Sequence, residues 1–170
     1  RVWDLRNDTS RVLNGHTNYV YSIVKMNDTM IVSGSYDNTL RVWDLTNDTS
    51  RVLNGHAGSV RSVVKLNETT IVSGSSDNTL RVWDLTDNTS RVLTGHIGSV
   101  RWVVKLNETT IVSGSGDNTL RVWDLTNSTS RVLNGHTNSV YSIVKINETT
   151  IISGSFDNTL RVWDLNKLAR

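Results

Sequence analysis

The chain has 170 residues, of which 36% are hydrophobic and 20% charged, and its formal net charge is +2. This charge is too small to indicate nucleic-acid binding, which needs Lys and Arg concentrated on one face. Cysteine is absent, which excludes disulfides, thiol nucleophiles and thiolate metal sites and fits an intracellular, cytoplasmic location.

A forty-residue unit repeats along the whole chain. Its marker is the pentapeptide Arg-Val-Trp-Asp-Leu, which begins at Arg1, Arg41, Arg81, Arg121 and Arg161. A strict period of this length is typical of units that bury their apolar faces by stacking on copies of themselves. We therefore expect one array rather than two domains, with units at about 14–53, 54–93, 94–133 and 134–165.

Each unit predicts four short strands and no helix. In the second unit and its flanks, alternating β-branched and apolar residues are separated by Asn, Gly and Asp turn residues. The predicted strands are, in chain order, Ser50–Leu53, Val60–Leu66, Thr70–Ser75 and Thr79–Leu85. Antiparallel strands joined in sequence form a meander, and repeated four-stranded meanders indicate an all-β propeller.

Several short motifs carry a family resemblance. Gly55-His56, Ser73-Gly74-Ser75, Asp77 and Val82-Trp83-Asp84 resemble the signatures of the WD-repeat β-propeller family. The resemblance covers nearly the whole chain and implies propeller blades of four antiparallel strands. One departure is the loop Leu66–Thr70, which lacks the Pro and Gly that the family usually carries there.

Each repeat places His, Ser, Asp and Trp at a fixed spacing. A Ser-His-Asp hydrolase triad is one interpretation. The other, which the resemblance implies, is a buried hydrogen-bonded line that stabilises each blade, and its fourfold repetition favours this structural role over catalysis. We predict no enzyme activity, no metal site and no cofactor. The predicted tetrads are His16, Ser33, Asp37, Trp43; His56, Ser73, Asp77, Trp83; His96, Ser113, Asp117, Trp123; and His136, Ser153, Asp157, Trp163.

The repeats differ at few positions, and those positions predict a binding surface. Variation gathers three, five and six residues after the His and immediately before the tetrad Asp. In the resembled family these offsets contact partners on one rim, and aromatic and Arg side chains dominate interface energetics. Neutral drift at exposed positions is the alternative. The predicted partner-binding residues are Tyr19, Tyr21, Tyr36, Arg61, Arg101, Trp102, Tyr141 and Phe156.

Charge placement suggests what the partner carries. Acidic residues collect in the loops that we expect at the opposite rim, whereas Arg61 and Arg101 lie on the variable rim. We therefore expect a protein or peptide partner with acidic or phosphorylated groups, which guanidinium groups can pair bidentately. Trp102 is either a further aromatic anchor or a wedge between two blades. The acidic residues are Asp8, Asp28, Asp48, Glu68, Asp87, Glu108 and Glu148.

Asn-x-Thr/Ser triplets recur in the acidic loops. They are glycan acceptors in a secreted eukaryotic protein, but the same residues are favoured in β-turns, which is the interpretation we prefer here. The Asn residues concerned are Asn7, Asn27, Asn47, Asn67, Asn88, Asn107, Asn127 and Asn147.

The strand count predicts how the array closes. The last unit lacks its outer strand, which residues 10–13 of the same or a partner chain can supply, leaving Arg1–Leu5 redundant with Arg161–Leu165. Four blades are few for a WD-type ring, because the packing surface of a blade sets its wedge angle. We therefore expect two chains to form an eight-bladed ring by two-fold symmetry. The alternative is that these residues are a piece of a longer propeller, which the overlapping ends also fit. The functional expectation is a non-catalytic interaction scaffold. The alternative is an engineered or purely structural self-assembling repeat without a ligand.

Overall fold

The computed structural model describes residues 1–167, and within that range every regular element is a β-strand. The first two strands, β1 (Val2–Asp4) and β2 (Thr9–Arg11), pair with each other as an N-terminal hairpin. The remaining strands form four antiparallel sheets in chain order, here called blades I to IV.

Three of the blades have four strands and the last has three. Blade I comprises β3 (Val20–Lys25), β4 (Met30–Ser35), β5 (Leu40–Asp44) and β6 (Thr49–Leu53). Blade II comprises β7 (Val60–Lys65), β8 (Thr70–Ser75), β9 (Leu80–Asp84) and β10 (Ser90–Leu93). Blade III comprises β11 (Val100–Lys105), β12 (Thr110–Ser115), β13 (Leu120–Asp124) and β14 (Thr129–Leu133). Blade IV comprises β15 (Val140–Lys145), β16 (Thr150–Ser155) and β17 (Leu160–Asp164).

The strands predicted in the second unit are present, with ends that differ by one residue at most. Thr70–Ser75 matches its prediction in full, and the predicted strand Thr79–Leu85 is one residue shorter at each end. Asn78 adopts the left-handed conformation (φ 71°) in the turn before β9. Asn tolerates this region better than most residues do, so the Asp-Asn turn and the following strand are locally compatible.

Neighbouring blades pack face to face through apolar side chains. Between blades I and II, Val42 and Leu53 belong to the same buried cluster as Val60, Ile71 and Trp83, and equivalent clusters join blades II to III and III to IV. Gly74 is part of this contact, because a Cβ there would lie 2.6 Å from Cγ1 of Val100 in the next blade. The core therefore lies between the sheets, as expected for stacked repeats that cannot bury an apolar face alone.

The sequence predicts that residues 10–13 form the outer strand of blade IV. In the described residues β2 pairs with β1, and blade IV ends at β17. Completion of blade IV by residues 10–13 thus stays a prediction, and within this single chain β1 takes the place opposite β2.

Candidate functional site

The four predicted tetrads are formed, and their geometry is nearly identical. In each, the His Nδ1 lies 2.7 to 2.8 Å from an Asp oxygen and the His Nε2 lies 2.7 to 2.8 Å from the Ser Oγ. The Trp indole Nε1 donates to the same Ser Oγ at 2.8 Å. The line therefore links the loop before the first strand of each blade to its second and third strands.

The ionised Asp determines which tetrad atoms carry the protons of the hydrogen bonds. Burial of Asp77 raises its pKa, but hydrogen bonds from Thr79 and His56 outweigh burial and hold the pKa at about 2. A carboxylate can only accept, so His56 Nδ1–H donates to Asp77 and the Ser73 hydroxyl donates to Nε2. Burial lowers the pKa of His56, although Asp77 opposes that shift, which fits a neutral imidazole.

This arrangement matches a Ser-His-Asp triad in connectivity, but the serine oxygen is not available for attack. Ser73, Ser113 and Ser153 are fully buried and Ser33 is 3% exposed. The Trp N–H also occupies a lone pair of the serine oxygen, on which a nucleophile depends. The groups satisfy one another, as a buried polar network must if it is to stabilise the fold.

Two further residue types complete the network, and the sequence reasoning missed both. The Thr two residues after each tetrad Asp donates its hydroxyl to that carboxylate, as Thr39 does to Asp37 at 2.6 Å. In blades I to III the Arg that opens the repeated pentapeptide lies over the tetrad Trp, as Arg81 does over Trp83 at 5.7 Å. The available signal was their presence in every repeat, since residues that never vary are those with fixed partners.

The first strand of each blade has a bulge at one of the variable positions. The pairing of β3 with β4 shifts between Val20 and Ser22, so Tyr21 is the extra residue, and the same shift occurs in β11 and β15 around Arg101 and Tyr141 and in β7. A bulged residue leaves the ladder and its side chain is re-aimed. The bulge therefore sets the position five residues after the His outside the regular strand pairing.

The structure brings four of the predicted partner-binding residues into a first aromatic cluster. The backbone N–H of Tyr36 donates to the carbonyl of Tyr19, which joins the Asp-containing loop to the His-containing loop. The ring of Tyr36 lies 6.3 Å from that of Tyr19 and 6.1 Å from that of Tyr21. Arg61 of blade II places its guanidinium 4.6 Å from the Tyr21 ring centre. The cluster therefore bridges two blades.

Three more of the predicted residues form a second aromatic cluster at the other end of the array. Tyr141 and Phe156 of blade IV stack with their ring centres 3.7 Å apart, and Arg101 of blade III lies 4.4 Å from the Tyr141 ring centre. Phe156 is 57% exposed. An Arg from an inner blade thus covers a Tyr of an end blade in both clusters.

Trp102 lies outside both clusters. At the first two blade junctions Ser22 and Ser62 accept a hydrogen bond from an amide of the next blade, at 3.0 and 3.1 Å. Trp102 stands at the equivalent position of the third junction, where an indole offers no acceptor, and it is 42% exposed. Its two interpretations, anchor and wedge, both stay predictions.

The expected charge asymmetry is weaker than the sequence indicated, because most of the acidic loops carry their own cations. Lys65 contacts Glu68 at 2.6 Å and Lys25 contacts Asp28 at 2.6 Å, while Lys105 and Lys145 pair with Glu108 and Glu148. Arg11 pairs with Asp48 at 3.0 Å. The prediction overlooked that each first strand ends in a Lys at the same edge as the acidic turn.

The Asn residues of the triplets act locally in turns. Asn27, Asn67 and Asn107 each accept hydrogen bonds from the backbone of the Thr two residues later. Asn88 instead adopts a positive φ of 63°, and Asp87 takes over the acceptor role toward Thr89. These contacts agree with the turn interpretation.

Among residues 1–167 there is no group of three or more His, Asp or Glu side chains placed to bind a metal ion. The same residues contain no helix of the length and hydropathy needed to cross a membrane.

Repeated antiparallel blades, each locked by a buried His-Ser-Asp-Trp line, define a propeller-type repeat protein. The family described as "WD domain, G-beta repeat" matches the chain four times, at residues 7–44, 47–84, 87–124 and 127–164. The chain therefore belongs to the WD-repeat family. The second, third and fourth matched segments each combine the outer strand of one blade with the three inner strands of the next, and the first combines β2 of the hairpin with β3, β4 and β5.

One solved structure shows how far the likeness extends. It is the crystal structure of a computationally designed protein called Ika4, with a TM-score of 0.82 and 26% sequence identity. The alignment covers 92% of this chain and 99% of Ika4. A search of curated proteins returned no match.

Proposed function

We propose that the chain is a non-catalytic interaction scaffold whose two aromatic clusters bind a protein or peptide segment carrying acidic or phosphorylated groups. The observation that supports this most directly concerns Arg61 and Arg101. Each lies over a Tyr ring, at 4.6 and 4.4 Å, and neither forms an ion pair with a carboxylate within the described residues.

A guanidinium held in this way is prepared for an anionic group. Stacking on Tyr restricts the Arg side chain, so less entropy is lost on binding. Nε of Arg61 already donates to Ser76 Oγ at 2.9 Å, so its two terminal nitrogens are the ones that would pair with the anion. The neighbouring Tyr19 and Phe156 are 73% and 57% exposed and offer apolar contact beside the charge. Exposed aromatic residues next to Arg are the composition of interface hot spots.

The proposal includes no catalysis, because the serine that hydrogen-bonds to the His in each tetrad is not free to act as a nucleophile. Its oxygen is buried in all four blades and already accepts the Trp N–H. An intracellular, cytoplasmic location completes the proposal and is supported by the absence of cysteine from the sequence.

The binding surface can be tested with arrayed peptides of equal length, presented in unmodified, Glu-rich and phosphorylated forms. We expect preferential capture of the acidic or phosphorylated forms, and loss of that capture in Arg61→Gln and Arg101→Gln. Truncating a hot-spot residue costs about 2 kcal/mol or more, which corresponds to roughly thirtyfold weaker binding.

Arg6→Gln is the matched control, because Arg6 is exposed and lies in the N-terminal hairpin, away from both clusters. Binding by both Arg61→Gln and Arg101→Gln that equals binding by Arg6→Gln would remove the clusters from consideration. Capture that ignores peptide charge would contradict the acidic partner.

We further propose that two chains form an eight-bladed ring by two-fold symmetry, with residues 10–13 of each chain completing blade IV of the other. The matched repeats support this arrangement, because the first repeat begins with β2 and the last ends with β17. Each repeat therefore lends its first strand to the preceding blade, and β2 is the strand that blade IV lacks.

Light scattering at micromolar concentration tests the ring. We expect a particle of about twice the 19.0 kDa chain mass. A single 19.0 kDa particle at these concentrations would contradict the two-chain ring and leave the binding proposal standing.

A self-assembling, engineered or purely structural repeat without a ligand is the second candidate. The likeness to a computationally designed protein favours it. It predicts a stable assembly together with peptide capture by the parent chain that is no greater than capture by Arg61→Gln or Arg101→Gln in any of the arrays.

A further inference from the structure

The two ends of the array present apolar faces that are buried at every internal junction. On blade I, Val20 is 46% and Ile23 64% exposed, whereas their equivalents in blades II to IV are at most 7% exposed. On blade IV, Leu160 is 75% and Val162 70% exposed, and their equivalents in blades I to III are at most 9% exposed. The exposed residues are thus the two halves of one interface that the chain builds three times internally.

Polar groups at the two ends match in the same way. At the internal junctions Lys65 donates to the carbonyl of Met26, and Lys105 and Lys145 donate to the equivalent carbonyls of the preceding blades. Lys25 has the same position on blade I, and Ile146 has the carbonyl position on blade IV. Ser142 likewise has the acceptor position that Ser22 and Ser62 use.

The N-terminal hairpin already lies in part of this interface. Arg11 donates to the Leu45 carbonyl at 2.6 Å, just as Arg51 donates to the Leu85 carbonyl at 2.7 Å across the next junction. A cleft of about 260 Å³ remains between the hairpin and blade I, with Val2 and Leu13 on one side and Val20 and Ile23 on the other. The inner strands that fill this space at the internal junctions are missing here.

Strand β1 corresponds in sequence to the third strand of a blade, but its contacts are weaker than those of the third strands. Arg1 donates to Ser10 at 3.2 Å, the bond that Arg41, Arg81 and Arg121 make at 2.9 Å to Ser residues of their own outer strands. Trp3 is 61% exposed, whereas the equivalent Trp163 of β17 is 8% exposed in its tetrad. Residues 1–6 also lie outside the four matched repeats.

We propose that the cleft between the N-terminal hairpin and blade I is the docking site for blade IV of a second copy of this chain, whose β17 replaces β1 as the partner of β2. This inference rests on the two-chain ring proposed above. It identifies the interface of that ring and the β1–β2 pairing that competes with it. The exchange keeps the backbone pairing of β2 and adds burial of Val20, Ile23, Leu160 and Val162, so the apolar contact favours the second copy.

The register can be tested by disulfide cross-linking, because the chain has no cysteine of its own. Asp44 lies opposite Thr49 and Asp124 opposite Thr129, so Asp164 is expected opposite Thr9 of the second copy. Opposed residues of an antiparallel pair lie within the Cα spacing that a disulfide requires. We expect the variant Thr9→Cys with Asp164→Cys to form a covalent dimer on oxidation.

A second experiment uses a disulfide, here called the lock, that holds β1 against β2 in the hairpin. Asp4 lies opposite Thr9 in the hairpin, so Asp4→Cys with Thr9→Cys joins β1 to β2 within one chain. Since only the released β2 can accept β17, the oxidised lock should raise the concentration at which dimers form by about tenfold or more. Adding a reductant to the same sample should restore dimer formation, which separates the lock from misfolding.

The outcomes distinguish this inference from the ring itself. A covalent 19.0 kDa product from Thr9→Cys with Asp164→Cys would show that the chain closes on its own blade IV and would overturn the second copy as occupant. Dimers that form equally with the oxidised and the reduced lock would overturn strand replacement and leave the ring intact. A chain that is monomeric in light scattering without any substitution would overturn both.

Discussion

At the scale of single residues, the tetrads show how a chain can bury polar groups without losing stability. Each tetrad serine both donates to His and accepts from Trp, and each tetrad Asp accepts from His, from Thr and from the backbone. A buried group without partners costs free energy, whereas one whose partners are all present makes the local structure unique. The resemblance to the WD-repeat family implied these residues and their repetition favoured a structural role, whereas their partners Thr and Arg were not predicted.

Removal of one tetrad hydroxyl should destabilise a blade measurably. In Ser113→Ala the indole of Trp123 and Nε2 of His96 lose their common partner while still buried. We expect the free energy of unfolding to fall by about 1 to 3 kcal/mol, measured by urea denaturation. Ser139→Ala is the control, since Ser139 is half-buried and its backbone, not its hydroxyl, makes the recorded contacts. Equal losses in the two variants would contradict the role of the hydroxyl.

The free energy of unfolding should decrease in two steps as the pH is lowered. The pKa of His56 is lowered from 6.5, so below that pH the unfolded chain binds more protons than the folded one and stability begins to decrease. The pKa of Asp77 falls from 3.8 to about 2, so the stability that its carboxylate contributes is complete above pH 4 and is lost toward pH 2. Urea denaturation between pH 7 and 2 measures both steps.

Asp77→Asn provides the control for the acidic step. This variant should start less stable at pH 7 and should lose less stability between pH 4 and 2 than the parent chain. Parallel curves for the two proteins below pH 4 would show that other carboxylates carry the acid sensitivity.

At the scale of elements, the position of each strand followed from periodicity and turn residues, but its irregularities did not. The bulges set Tyr21, Arg61, Arg101 and Tyr141 outside the regular pairing, and they arise from pairing between the first and second strands of each blade. No single strand contains this information. The Lys residues that neutralise the acidic turns were missed for the same reason, since a strand end and a turn meet only once the hairpin forms.

Close approach between blades should make Gly74 intolerant of substitution. In Gly74→Ala the new Cβ would lie 2.6 Å from Cγ1 of Val100, so the blades must move apart, and overpacking of this kind costs about 1 to 3 kcal/mol. Gly116→Ala is the matched control, because its Cβ would meet only ordinary contacts at 3.6 Å beside Arg101. Thermal denaturation compares the two, and a Gly74→Ala protein as stable as Gly116→Ala would contradict the tight junction.

At the scale of the whole molecule, the order of the blades relates the proposed binding clusters to the proposed two-chain ring. Blades I and IV carry Tyr at the bulge and blades II and III carry Arg. In the proposed ring, blade IV of one chain adjoins blade I of the other, so the second aromatic cluster would lie beside the first cluster of its partner. Aromatic surface would then be concentrated at the two subunit junctions, with the Arg residues on either side of it.

The sequence by itself determined the repeat, the all-β class, the strand positions, the tetrads and the two sets of variable residues. These features depend on local periodicity, on turn chemistry and on residues that recur at a fixed spacing, and all of them are visible when the forty-residue units are compared. Only the tertiary structure decided which variable residues meet, which acids are neutralised and which apolar faces stay exposed at Val20 and Leu160. Those properties depend on contacts between elements far apart in the chain, and every internal repeat has a neighbour that the end repeats lack.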